Sequence, residues 1–254
     1  MDKYSNPPLK WPLGWRAKIG FILPSQEEGQ SSYEYRSMCP EGVIPLETRV
    51  MGCNDLTIEK LKRMREDAIY AAELLAVPKS DVITYEPTAA SFILGVQGDQ
   101  DFISEVQEKT GIKTTSGASA VSAALKELGV KRIMLCARVT EEITVKELNY
   151  LEEVGFDVAY HYSFGEEESS ASLKRMTPWD LYSQLVRLYR QHSNVEGILV
   201  TGAAYRTVEM IESLEKEIGI PVVSTVSGNM WRCLQLAGIK EPISGFGQLL
   251  DRVR

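Results

Sequence analysis

Gly197-Ile198-Leu199-Val200-Thr201-Gly202-Ala203-Ala204-Tyr205-Arg206-Thr207 decides how this chain is read. The apolar run predicts a buried strand, and the small residues Gly202 to Ala204 lead into a helix pattern. Small residues at such a junction let a ligand approach the backbone closely. The first amides of the helix have no partner inside it and sit at the positive end of its dipole. The junction therefore suits an anion such as a carboxylate. A tight strand-to-helix turn with no ligand would use the same residues.

The stretch has an echo. Val82-Ile83-Thr84-Tyr85-Glu86-Pro87-Thr88-Ala89-Ala90-Ser91 is a second short strand running into a small-residue turn and a helix. The sequel repeats too. Gly111-Ile112-Lys113-Thr114-Thr115-Ser116 leads to an apolar helix and Leu128-Gly129-Val130. Gly219-Ile220-Pro221-Val222-Val223-Ser224 leads to another, closed by Leu236-Ala237-Gly238-Ile239. This pattern predicts an internal duplication: two similar α/β lobes with their strand ends facing across one cleft. The expected division puts residues 1–120 and 224–254 in one lobe and 121–223 in the other. Chance similarity of two ordinary strand–helix units is the alternative.

Around this frame, Ala17 to Leu23 reads as a central strand that stops at Pro24-Ser25. Further strands are expected at Val43 to Val50, Lys131 to Ala137 and Phe156 to Tyr160. Helical spacing marks Leu56 to Leu75, Phe102 to Lys109 and Ala118 to Leu128. Thr140 is placed to cap a helix carrying Glu141 and Glu142 in its first turn. Thr177-Pro178-Trp179-Asp180 opens another, with Pro at the first helical position and an acid at the third. Gln26 to Ser32 and Ser163 to Arg175 read as loops, and residues 1–15 as an arm pinned by Trp11 and Trp15. Phe246 and Leu249 pack the tail. Alternating strands and helices mean parallel sheets and the α/β class.

Composition excludes several functions. The net charge of -7 over 254 residues argues against a nucleic-acid binder. No apolar run is long enough for a membrane span, and the polar start lacks a secretion segment, so a cytoplasmic location follows by default. Cys39, Cys53, Cys136 and Cys233 form no CxxC pair and read as reduced thiols, with Cys136 and Cys233 in core segments. Two histidines, His161 and His192, cannot build a His-rich metal site, and a Ser-His-Asp triad would need one of them to reach a nucleophile. There is no Walker loop, and Pro24 stands where a dinucleotide-binding glycine turn would be. No metal or cofactor is expected.

What remains is a set of strand ends bearing hydroxyls and backbone amides: Pro24, Ser25, Thr88, Ala89, Ala203 and Ala204. Such a site suits a small carboxylic acid, with chemistry through a carbanion or enediolate held by preorganised donors. The chain resembles the aspartate/glutamate racemase superfamily, most closely its maleate isomerase and arylmalonate decarboxylase branch. The residues that carry the likeness run from Pro24-Ser25 and Met38-Cys39-Pro40-Glu41-Gly42-Val43 through Thr88 to Phe92 and Gly111-Ile112. It continues through Thr140-Glu141-Glu142, Gly197-Ile198-Leu199 and Arg206-Thr207 to Ile220-Pro221-Val222 and Trp231. Each motif is weak alone; their order and spacing are specific.

The resemblance implies a duplicated two-lobe fold, no cofactor and a possible homo-oligomer. It also implies catalytic cysteines, two in racemases and isomerases and one in decarboxylases. Here Pro87 stands at the first cysteine position and Gly202 at the second. Of the family's carboxylate pocket, Thr88 matches a Thr, Ala89 replaces a Ser, Val139 with neighbouring Arg138 falls at a Tyr, and Ala203 keeps a backbone amide. Pro and Gly carry no proton, so two-base racemisation and cysteine addition are unsupported. Glu86, if desolvated, is a candidate base, and Tyr205 a candidate proton donor; a solvated loop carboxylate and a packing aromatic are their plain alternatives. Arg138 is either a bidentate carboxylate ligand or a surface side chain. Three functions stay open: a lyase, decarboxylase or isomerase without catalytic cysteine; a carboxylate-binding protein without activity; and a hydrolase using a loop carboxylate.

Overall fold

The computed structural model describes residues 12–25, 28–52, 57–164, 176–202 and 206–253. Two four-stranded parallel sheets organise the chain. The first holds β1 (Ala17–Pro24), β2 (Val43–Val50), β3 (Val82–Tyr85) and β4 (Lys113–Ser116), in the order β2-β1-β3-β4. The second holds β5 (Arg132–Ala137), β6 (Asp157–Ser163), β7 (Gly197–Thr201) and β8 (Val222–Ser224), in the order β6-β5-β7-β8. The two orders are the same, which is the duplication read from the sequence. All strand pairs are parallel, so the central strands are covered on both faces and read as apolar runs.

Helices α1 (Gln30–Met38), α2 (Ile58–Ala76), α3 (Thr88–Phe92), α4 (Gly95–Thr110) and α5 (Gly117–Glu127) accompany the first sheet in sequence. Helices α6 (Glu141–Glu153), α7 (Pro178–Gln191), α8 (Val208–Ile218) and α9 (Thr225–Leu236) follow. The repeat extends to backbone detail. Gly111 and Gly219 end α4 and α8 in the left-handed conformation, where glycine is favoured. Ser116 caps α5 and Ser224 caps α9, each hydroxyl accepting the amide three residues on at 3.1 Å.

Helices α5 and α9 pack on each other between the sheets, and α9 also lies against β3 and β4. At Gly228 a Cβ would stand 3.0 Å from the Val121 side chain, so the missing side chain lets the two helices close. Because strand ends in each sheet point the same way, this arrangement brings the exits of β3 and β7 together.

Several local expectations change. Helix α1 begins at Gln30, inside the loop expected over Gln26 to Ser32, and runs on to Met38 where no element was read: its buried face is Ser31, Glu34, Tyr35 and Met38, too polar to show apolar periodicity. Helix α4 starts at Gly95, ahead of the apolar residues that mark its later turns. Thr140 precedes α6, but its side chain makes no capping hydrogen bond. Thr177 does cap α7, and with Asp180 forms a reciprocal capping box. Trp15 is half exposed and lies against Gly42, while Trp11 falls outside the described residues. Most of Ser163 to Arg175 falls outside them as well. Leu249 is buried and Phe246 packs on the core. Among the described residues no helix is long and apolar enough to cross a membrane.

Candidate functional site

The turns after β3 and β7 meet at one hydroxyl. Thr88, the first residue of α3, has its Oγ1 3.2 Å from Oγ1 of Thr225, the first residue of α9. The Gly202 amide donates to the same Thr225 oxygen at 3.1 Å. Pro87-Thr88 and Gly202 are therefore joined through a single side chain. Gly202 has φ +98°, and a Cβ there would lie 2.8 Å from Cβ of Arg138, so conformation and space both require glycine. Gly117 at the start of α5 is as close to the first turn: a Cβ would stand 2.6 Å from the Glu86 carbonyl oxygen.

Glu86 is fully buried, which overturns the solvated-loop alternative. Its amide donates to Ile22 at 3.1 Å, and its carboxylate accepts from the Ser31 hydroxyl of α1 at 3.0 Å. The second lobe carries the reciprocal pair. Thr201, just before Gly202, donates its hydroxyl to Glu147 of α6 at 2.7 Å. Burial pushes the Glu147 carboxyl up to about 8. Each strand end thus rests on a carboxyl–hydroxyl pair, with the acid on the strand in one lobe and on the helix in the other.

The other expected residues fall into three groups. Pro87 and Val139 are buried, Ala89 and Arg138 half-buried, all beside the junction in sequence. The Arg138 amide donates to Thr201 at 3.2 Å, which places that residue at the exits of β5 and β7. Pro24 is buried at the end of β1 with its carbonyl accepting from Arg49 at 3.2 Å. Ser25 is turned elsewhere: its exposed hydroxyl accepts the Gly52 amide at 2.9 Å, beyond the end of β2. Ala203, Ala204 and Tyr205 lie outside the described residues. The Gly202 amide, read from sequence as an open anion donor, is already engaged by Thr225.

The described thiols are not at the strand ends. Cys136 lies within β5, Cys233 within α9 and Cys39 at the end of α1. Burial pushes the Cys39 and Cys136 thiols up to about 12 and raises Cys233 too, which leaves inert thiols rather than nucleophiles. Both histidines engage other groups. His161 pairs with Glu141 at 2.9 Å, and His192 stacks on Tyr160. Ser163 also bonds Glu141, but the acid sits between serine and imidazole, the wrong order for a triad. Among the described residues no His, Cys, Asp or Glu group could hold a metal. A groove between the end of β2 and α2, lined by Arg49, Met51, Asp67 and Tyr70 among others, contains none of the expected site residues.

Sequence reasoning passed over Thr225, Gly117, Ser31 and Glu147. The repeat held a signal for two of them, since Ser116-Gly117 aligns with Ser224-Thr225.

Fold and junction together define a duplicated, two-sheet α/β protein whose matching strand ends meet between the lobes. A model of the arylmalonate decarboxylase family matches residues 19–250, and the chain belongs to that family. It is 25% identical to the arylmalonate decarboxylase of Bordetella bronchiseptica over 234 residues, 92% of this chain and 96% of that one. It is 22% identical to the maleate isomerase of Geobacillus stearothermophilus, over 92% of this chain and 97% of that one. The crystal structure of the maleate isomerase Iso from Pseudomonas putida S16 superposes with a TM-score of 0.83 at 19% identity, covering 94% of this chain and 99% of that one. Unliganded arylmalonate decarboxylase superposes at 0.80 with 22% identity, covering 92% and 99%. These superpositions establish the shared fold.

Proposed function

We propose that the protein is a cofactor-independent enzyme that works α to the carboxylate of a small organic acid, by decarboxylation or isomerisation, with no cysteine at either strand end. The observation that carries this reading is Glu86: a fully buried carboxyl immediately before the turn that Thr225 joins to Gly202. In this reading Thr88 and the amides near Ala89, Gly202 and Ala203 hold the substrate carboxylate, which takes the place of the Thr225 hydroxyl on Gly202. Arg138 binds a second acidic group. Glu86 moves the proton, and Tyr205 donates one or closes the pocket. For a malonate, the bond from the α-carbon to one carboxylate breaks and that group leaves as carbon dioxide, the bond's electron pair enters an enediolate of the remaining carboxylate held by these donors, and the α-carbon then takes a proton from Glu86. The lobes divide as 1–120 with 224–254 and 121–223.

The test is turnover of a panel containing phenylmalonate, maleate and small amino and hydroxy acids. Wild type should convert at least one, and Glu86→Gln should lose the activity while keeping the fold. A specific observation favours a second reading: the Thr88 hydroxyl and the Gly202 amide already share Thr225. Tight binding of an acid without any turnover would make the protein a carboxylate binder.

A further inference from the structure

Glu34 is the side chain through which α1 reaches α8, and nothing above assigns it a role. It lies on the buried face of α1 and is itself fully buried. Its Oε1 accepts the Val208 amide at 2.7 Å, the Thr207 amide, and the Thr207 hydroxyl at 3.2 Å. These are the amides that open α8, the helix entered from the Gly202 turn. A carboxyl at that place meets donors that the helix itself cannot satisfy and the positive end of its dipole. The Thr207 hydroxyl also lies 2.9 Å from Ser224, the cap of α9, one residue before Thr225. One oxygen of Glu34, Oε2, is buried without a hydrogen-bond partner. A negative charge there would find neither a donor at Oε2 nor water, which disfavours the ionised form.

We infer that Glu34 is the positioning residue of the second strand-end turn, a proton-linked contact from the first lobe that fixes where the chain leaving β7 enters α8. The assignment rests on the proposed site, since it is that site's geometry the contact would set. The one charged group that acts on it is Glu209 on α8; the elements packed against α1 also carry Glu47 and Arg49 on β2 and Arg232 on α9, and α1 itself carries Arg36. Arg36 faces Glu47, and Glu209 pairs with Arg206. Burial chiefly, with the Glu209 charge adding, raises the carboxyl to about 7 against the backbone and hydroxyl bonds that lower it. When the contact opens, the carboxyl meets water and its affinity for the proton falls. The closed contact is therefore favoured at low pH and weakens as pH rises toward 7.

The test is amide hydrogen exchange on the ligand-free full chain, read at Thr207, Val208 and the rest of α8 from pH 5 to pH 8.5 and corrected for intrinsic rates. Wild type should lose protection by up to about tenfold per pH unit below neutrality and then level off. Glu34→Gln should lose the extra slope at Thr207 and Val208 and keep only the shallower trend shared with amides far from the contact; a purely packing role would shift protection equally at every pH. Glu209→Gln, at a partly exposed position, should move the break to lower pH and keeps the inference testable where Glu34→Gln does not fold. Protection at Thr207 and Val208 that is flat, rises with pH or follows the rest of the chain in wild type, or a wild-type slope retained in full there in Glu34→Gln, overturns it. The exchange needs no substrate, so its failure removes the role of Glu34 alone, whereas failure of the acid panel removes the proposed function alone.

Discussion

Thr88 and Thr225 stand 137 residues apart in the chain and 3.2 Å apart at their hydroxyls. Through Thr225 the first residue of a first-lobe helix is tied to the amide that ends β7 in the second. Replacing Thr225 with Val keeps the shape and removes the oxygen. The half-buried Gly202 amide then loses its acceptor, at a cost of about 1 kcal/mol in urea unfolding. If the substrate carboxylate takes that amide, maleate or phenylmalonate should raise the melting temperature of Thr225→Val more than that of wild type.

Gly117 has no room for a side chain. A Cβ would stand 2.6 Å from the Glu86 carbonyl oxygen and 2.8 Å from Cγ2 of Thr88. Gly117→Ala should therefore destabilise the protein by about 1–3 kcal/mol, as overpacking does, despite the better helix propensity of alanine. A denaturation curve matching wild type would show that the first turn gives way freely.

The hydroxyl under Glu86 offers a graded probe of its role. Ser31→Ala removes the 3.0 Å hydrogen bond and leaves the carboxyl in place. Any turnover found in the acid panel should fall and its pH profile should shift toward higher pH, because the charged form of Glu86 has lost a donor. An unchanged profile would mean that Glu86 does not exchange the working proton.

Buried acids set the pH dependence of stability. The Glu147 carboxyl is raised by burial to about 8, and burial also raises Asp99 against the Ser116, Ser119 and Tyr150 hydroxyls bonded to it. A folded state that binds protons more tightly than the unfolded chain is most stable below the unfolded value of these acids and loses that advantage as pH rises through the folded one. Thermal stability should therefore decline from about pH 5 to pH 8. Glu147→Gln removes one ionisable partner of Thr201 and should flatten the decline, by an amount on the order of 3 kcal/mol at alkaline pH. Melting curves at pH 5, 6.5 and 8 in both proteins measure it.

Thiol chemistry gives a further check. With Cys53→Ser, the remaining cysteines are Cys39, Cys136 and Cys233, all with thiols raised by burial. The native protein should resist iodoacetamide, become reactive in urea, and keep any acid turnover after treatment. Loss of turnover on alkylation of the native protein would put a cysteine back into the mechanism.

Much of this architecture was legible along the chain. Strands buried on both faces must be apolar throughout, so Ala17 to Leu23 and Gly197 to Val200 announced themselves. Gly111, Gly129, Gly219 and Gly238 all take positive φ, and a backbone need of that kind leaves a residue that recurs in both halves. Helix α1 was hidden for the opposite reason, because Ser31 and Glu34 on its buried face are paid for by hydrogen bonds rather than by apolar contact. Glu86 likewise reads as a loop acid until β1 and α1 are folded over it.

The chain alone determined the duplication, the alternation of strands and helices and the turns at Pro87 and Gly202, since alternation, caps and glycine conformations are demands that neighbouring residues impose on one another. Only tertiary structure decided which groups cross between the lobes: Thr225 to Thr88, and Glu34 to Thr207 and Val208, the latter spanning more than 170 positions. A hydrogen bond of that kind depends on where two helices come to rest. The same spatial cause, removal from water, is what gives Glu34 and Glu147 proton affinities that no stretch of sequence around them displays.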